Sequence, residues 1–200
     1  VCNYSCTHCQ SLNNYTFKGH QMWDEYANEY CKLSKKLDIE QLQIIGGEPT
    51  LNPDFEKWVE GLSSLWPNTK LQISTNGSRL DKFTSTIYNI LKNHKGTLWI
   101  TCHDIKLYEE FLKFSFNFLD EVISDNEEPP ARKVSRKIID CNGVEIILDW
   151  TQTFVSSVIE NVDDTLRMNF NSDMHEAHDI CGFKNCHQIN KGKLYKCPLI

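Results

Sequence analysis

The sequence predicts an α/β fold in which repeated strand–helix–strand units build a parallel sheet of the barrel kind. Three observations carry this. Short β-rich runs alternate with amphipathic stretches of helical period, the connections between them are short, and three strands stop at polar tetrapeptides.

Taken in order, "MWDEYANEYCKLSKKLD" sets Trp23, Tyr26, Ala27, Tyr30, Leu33 and Leu37 on one helical face. "LQII" is a short strand that runs into "GGEP". "NPDFEKWVEGLSSLW" predicts a helix with Asn52 as N-cap and Pro53 at the first helical position. "KLQIS" is the next strand and ends at "TNG". Leu80, Phe83, Ile87, Ile90 and Leu91 predict one further amphipathic helix. "TLWITCHD" gives a third strand, and "KLYEEFLKF" a helix after it. "DNEEPPARK" is expected to be a solvated connector, and the runs joined at Asn142-Gly143 a β-hairpin. Residues 155–180 are polar and give no clear element. In barrels chemistry collects at the C-terminal ends of the strands, where "GGEP", "STNG" and "TCHD" all fall.

Two hundred residues suit one domain, with room for a small appendage. A formal charge of -6 argues against nucleic acid as a partner, because duplex binding relies on clustered Lys and Arg. No apolar run reaches membrane-spanning length, so no membrane partner is expected. Val1 and the closing "KCPLI" carry no start or stop signal, and the expectation is a fragment of a longer chain.

The nine cysteines form two groups, Cys2/Cys6/Cys9 and Cys181/Cys186/Cys197, with Cys31, Cys102 and Cys141 scattered between. An odd count loaded toward the ends reads as metal ligands in a reducing cytoplasm, not as a disulfide framework. The scattered three are expected as small buried hydrophobes. Cys2-x3-Cys6-x2-Cys9 is too tight for a strand and must be a loop around something. Structural zinc takes four protein ligands; His8 could be drafted as the fourth, though it is squeezed between Cys6 and Cys9. An iron–sulfur cluster also takes four, and three would leave one iron open to a small molecule. Spacing alone leaves zinc, cluster and coincidence standing together.

"CNYSCTHC" together with "GGEP" resembles the radical SAM superfamily, whose signature is Cys-x3-Cys-x2-Cys. The resemblance implies a partial (β/α)6 TIM-like barrel over residues 1–160, its first strand lacking except for Val1. It implies that Cys2, Cys6 and Cys9 hold a 4Fe-4S cluster and that S-adenosylmethionine (SAM) ligates the fourth iron. One-electron reduction, from a donor such as flavodoxin or ferredoxin, would cleave SAM to a 5'-deoxyadenosyl radical that abstracts a substrate hydrogen.

Further cofactor contacts follow from the same resemblance. Gly46 and Gly47 would let the backbone turn and approach a ligand closely. Glu48 would offer a carboxylate to the SAM ammonium, and Pro49 would fix the turn. Ser74 and Asn76 match a position that contacts SAM, although Asn-Gly is also a common turn pair. Tyr4 and His8 lie inside the cluster loop, with His8 where the family packs an aromatic residue near adenine. Thr101, His103 and Asp104 finish the third strand, and His103 is a candidate for ribose contact or proton transfer. No fifth-strand SAM contact is recognisable in "VEIILDWTQTFV".

Cys181-x10-Gly192-x4-Cys197, with Cys186 between, resembles the start of a SPASM or twitch extension. Residues 161–200 are therefore expected to form a small β-hairpin segment holding an auxiliary iron–sulfur cluster, with "KLYKC" the return strand. Zinc held with His187 or His178 is the competing reading. By analogy with such proteins the substrate is a peptide or protein side chain, with a sugar or other small molecule as the alternative. A non-catalytic zinc-binding module is the reading from a different class.

Overall fold

Four strands lie side by side and parallel: β1 (Gln41–Ile44), β2 (Lys70–Thr75), β3 (Thr97–Cys102) and β5 (Val144–Trp150). The antiparallel β4 (Ser135–Cys141) flanks β5, and the sheet order is β1-β2-β3-β5-β4. The structure, a computed structural model, describes residues 1–6, 9, 19–113, 135–141, 143–150, 158–160, 166–168, 175, 179 and 185–196. One helix lies in each stretch expected to hold one: α1 (Trp23–Ser34), α2 (Phe55–Leu65), α3 (Ser85–Asn93) and α4 (Ile105–Lys113). None of the described helices is long and apolar enough to cross a membrane. The connector expected at "DNEEPPARK" lies outside the described residues.

Alternation along the strands decides what each face of the sheet does. Leu71, Ile73, Leu98, Ile100, Val144, Ile146 and Leu148 point to one face and bury against Phe55 and Val59 of α2, Ile87 and Leu91 of α3, and Tyr108 and Phe111 of α4. The other face is polar and bonded laterally. Gln41 Nε2 donates to Gln72 Oε1 at 2.8 Å, Gln43 Nε2 to Ser74 Oγ at 2.7 Å, Thr97 Oγ1 to Glu145 Oε2 at 2.7 Å, and Trp99 Nε1 to Asp149 Oδ2 at 2.8 Å. Crossovers between sequential neighbours put the described helices on the same side, as in a barrel wall and unlike a doubly wound sheet. The fold is thus a partial TIM-like barrel, its polar face turned away from the helices.

A second apolar cluster joins α1 to α2, where Trp58 meets Trp23 and Tyr30 edge-on with centroids 4.9 and 5.2 Å apart, and Trp23 and Tyr30 lie tilted at 6.2 Å. Gly61 makes this possible, because a Cβ there would run into the Trp23 indole. The sequence pattern does not announce that requirement.

Two helix starts differ from expectation. Asn52 does not cap α2, and Pro53 is not its first residue: the Asn52 Oδ1 accepts the Asp54 N–H at 2.9 Å, an Asx turn that delays α2 to Phe55. The Asp54 carboxylate instead takes the Trp23 N–H at 3.0 Å, and so caps α1. The helix expected to run from Leu80 through Leu91 is split. Residues Leu80–Lys82 make a 3-10 turn, then Thr84 restarts the chain by accepting the Ile87 N–H at 3.3 Å.

The hairpin at Asn142-Gly143 forms as β4 and β5, with Gly143 at φ 90°. Beyond it, β6 (Val158–Glu160) pairs with β7 (Leu166–Met168), inside the stretch that gave no clear reading. β8 (Gln188–Asn190) and β9 (Lys193–Tyr195) form the expected C-terminal hairpin, turning through Lys191 and Gly192 at φ 50° and 69°. This hairpin rests on α1. Gln21 Nε2 donates to Asn190 Oδ1 at 2.8 Å, Ile189 joins the Trp23 cluster, and a Cβ at Gly192 would strike Glu29.

Candidate active site

Parallel pairing of β1, β2 and β3 brings their three C-terminal ends together, and Glu48 ties the first two. It follows β1 and is 2% exposed. Its Oε1 accepts from Thr50 N–H at 3.1 Å, from the Thr50 hydroxyl, and from Thr75 Oγ1 at 2.7 Å. Its Oε2 accepts the Asn76 N–H at 2.6 Å. Its own N–H donates to the Val1 carbonyl at 2.9 Å, fixing the residue that leads into Cys2. Pro49 opens the short 3-10 turn Pro49–Leu51 that follows.

Neither Gly46 nor Gly47 uses a positive φ, so torsional freedom is not what glycine supplies. The space over Gly46 is open, with nothing within 4 Å of where a Cβ would stand. The glycine thus exposes bare backbone to whatever lies above it.

Cys2, Cys6 and Cys9 share one loop and are all half-buried. The Cys9 N–H donates to the Cys6 carbonyl at 3.3 Å, a bond that draws the two residues together. Burial pushes the Cys6 thiol up to about 11, and the neighbouring Cys9 and Cys2 add to the shift. The three sulfurs therefore lie in one another's fields. Among the described residues no three His, Cys, Asp or Glu side chains are gathered tightly enough to grip a single ion.

Tyr4 links this loop to the end of β3. Its ring meets His103 edge-on at 6.1 Å, and its hydroxyl is held above the usual phenol range by burial, then by Asp104, Cys102, Cys6 and Cys2. Asp104 has a separate duty, because its Oδ1 accepts the Lys106 N–H at 2.8 Å and starts α4. Ser74 accepts from Gln43 on the polar face, and Asn76 is 7% exposed beside Cys2. His8, Cys181 and Cys197 lie outside the described residues, and Cys186 is exposed two residues ahead of β8. A surface hollow lined by Lys36, Asp38, Pro67 and Asn68 sits at the opposite ends of β1 and β2, away from this convergence.

Comparison with known proteins bears directly on this arrangement. The family model described as "Radical SAM superfamily" matches residues 1–103, from the cysteine loop through the end of β3. The chain belongs to the radical SAM superfamily. It is similar to the GTP 3',8-cyclase of Aquifex aeolicus, 30% identical over 79 residues, which is 38% of this chain and 25% of that protein. It is also similar to the GTP 3',8-cyclase of Haemophilus ducreyi, 33% identical over 85 residues (41% and 25%). A probable GTP 3',8-cyclase of Methanococcus aeolicus is 27% identical over 88 residues (43% and 29%). The chain thus spans about a quarter of the length of the curated relatives it matches.

Radical SAM enzymes use a 4Fe-4S cluster and SAM, and this chain's groups fit both. Three half-buried thiols on one loop supply the soft donors a cluster takes. The Glu48 carboxylate is buried among neutral donors, pairs with no cation among the described residues, and has a lone pair of Oε2 still open. A cationic ligand completes such a group. Thr50, Thr75, Asn3 and the Val1 carbonyl, which hold this site together, went unrecognised in the sequence. Only the hydroxyls beside "GGEP" and "TNG" could have hinted at them.

Proposed function

We propose that the convergence of the cysteine loop, Glu48 and the β2 end is a radical SAM active site acting on a small polar molecule. The observation that carries it is the buried Glu48 carboxylate, tied to the end of the neighbouring strand β2 and two residues beyond the open backbone of Gly46. Cys2, Cys6 and Cys9 hold the cluster. Glu48 Oε2 receives the SAM ammonium, Gly46 and Gly47 let SAM lie against the backbone, and Pro49 keeps Glu48 at the turn. Ser74 and Asn76 close the pocket on the β2 side. Tyr4 and His103 wall it from the loop and from β3, with His103 proposed for ribose or proton contact, and His8 is proposed by resemblance alone as a residue beside adenine. Bound together, the cluster and SAM supply reductive cleavage to a 5'-deoxyadenosyl radical, with an external one-electron donor such as flavodoxin or ferredoxin in a reducing cytoplasm.

The polar sheet face supports a guest that forms many hydrogen bonds, because Gln43, Gln72, Ser74 and Asp149 would be poor company for an apolar one. A peptide side chain is the other substrate class expected. The relatives carry names that specify a nucleotide, and this favours the small molecule.

Residues 161–200 are proposed as a separate segment with an auxiliary metal site. Support comes from the β8–β9 hairpin, which Cys186 precedes and Cys197 follows by two residues each. With Cys181, these would hold an auxiliary cluster.

Anaerobic reconstitution followed by dithionite and SAM tests the first reading. 5'-Deoxyadenosine is expected, abolished by Cys6→Ala and much reduced by Glu48→Ala. Equal yield from Cys6→Ala would end the assignment. For the second site, iron per chain should fall in Cys197→Ala while the first cluster persists, and unchanged iron would remove it.

A further inference from the structure

Asn76 is a residue whose backbone and side chain are both committed. Its N–H goes to Glu48 Oε2 at 2.6 Å. Its Oδ1 accepts the Ser78 N–H at 2.9 Å, and this settles which way the amide faces. The Nδ2 group must then point toward the cysteine loop. There it donates to Asn3 Oδ1 at 2.9 Å and lies 3.9 Å from Cys2 Sγ, within reach of an N–H···S hydrogen bond. The circuit closes through Glu48, whose N–H holds the Val1 carbonyl, one residue before Cys2.

From this geometry we infer that Asn76 sets the reduction potential of the metal centre at Cys2, by an N–H···S hydrogen bond from its amide. It is a positioning residue, and the inference rests on the cluster assignment made above. Reduction adds negative charge that spreads onto the thiolates, so a donor aimed at one of them stabilises the reduced state and raises the potential. Burial strengthens the effect, because Asn76 is only 7% exposed and water cannot replace the donor readily. The other amide proton is free to serve Asn3 Oδ1, while the Ser78 N–H on Oδ1 keeps the Nδ2 group aimed at the sulfur.

The test uses the reconstituted full chain and an EPR-monitored redox titration without SAM. Asn76→Ser keeps a hydroxyl able to hold the turn at Ser78 but is too short to reach Cys2. At a fixed set potential its ratio of reduced to oxidised cluster should fall roughly three- to tenfold, tenfold being ~59 mV for one electron. Asn76→Asp, which exchanges the donor for a carboxylate, should shift the potential further in the same direction. Asn3→Ala loosens the loop while leaving the donor to sulfur, and its potential should match the parent. An unchanged potential in Asn76→Ser or Asn76→Asp overturns the inference, and so does an equal shift in Asn3→Ala, which would make it a matter of loop slack. Failure of the parent to take up iron is a different result, and it strikes the cluster assignment itself.

Discussion

Glu48 Oε2 accepts the backbone N–H of Asn76 at 2.6 Å, joining the ends of two parallel strands through a carboxylate that is 2% exposed. Glu48→Gln presents an amide N–H to donors on one side or the other and leaves at least one of them unmatched. The metal-free chain should lose about 2 kcal/mol of stability in a urea titration. A loss below about 0.5 kcal/mol would mean that this carboxylate does not tie the strands.

Cys102 is fully buried, and burial, followed by Asp104 and Asp149, pushes its thiol from 9.0 up to about 12. A thiol whose folded value is raised favours the protonated fold. Its contribution is complete below pH 9 and is lost as pH climbs toward 12. Stability should fall by about 1 kcal/mol by pH 10 from this group. Tyr30, likewise pushed up to about 12 by burial and then by Tyr26, adds from pH 10 upward. Cys102→Ala should flatten the stability curve between pH 9 and 10. In alkylation followed by mass spectrometry, the exposed Cys186 should react readily in the folded chain and Cys102 should not.

Gly61→Ala sets helix propensity against packing. An exposed helix would gain up to about 1 kcal/mol from the change. Here the added methyl meets the Trp23 indole, so the variant should be less stable by roughly 1 to 3 kcal/mol. A raised melting temperature would show that α1 and α2 do not approach at this point.

The C-terminal hairpin should come loose in Gly192→Ala, because a side chain there meets both a φ of 69° and Glu29. Trypsin should then cut after Lys191 and Lys193 several-fold faster. Iron bound at the N-terminal loop should not change.

The legible part of this protein lies where chemistry fixes spacing. The three thiols, "GGEP" and the strand ends could be read because each needs particular residues at particular intervals. The turns at Gly143 and Gly192 were equally readable, since both glycines take the positive φ that such turns favour. What could not be read were bonds between distant residues. Asn52 looked like a helix cap, and nothing nearby revealed that Asp54 would cap α1 instead. Thr75 and Asn76 gained their meaning only when β2 paired beside β1 and brought Glu48 across. The pairing of Asn3 with Asn76 spans the site in the same way. Gly61 looked like a defect in a helix until Trp23 was seen to fill the gap.

The most direct test of the account is a spectroscopic titration of the anaerobically reconstituted chain with SAM. The account predicts a 4Fe-4S EPR signal on reduction that changes shape when SAM is added, because one iron has no protein ligand, and that is lost in Cys6→Ala. A signal indifferent to SAM, or a colourless protein carrying zinc at Cys2, Cys6 and Cys9, would contradict it.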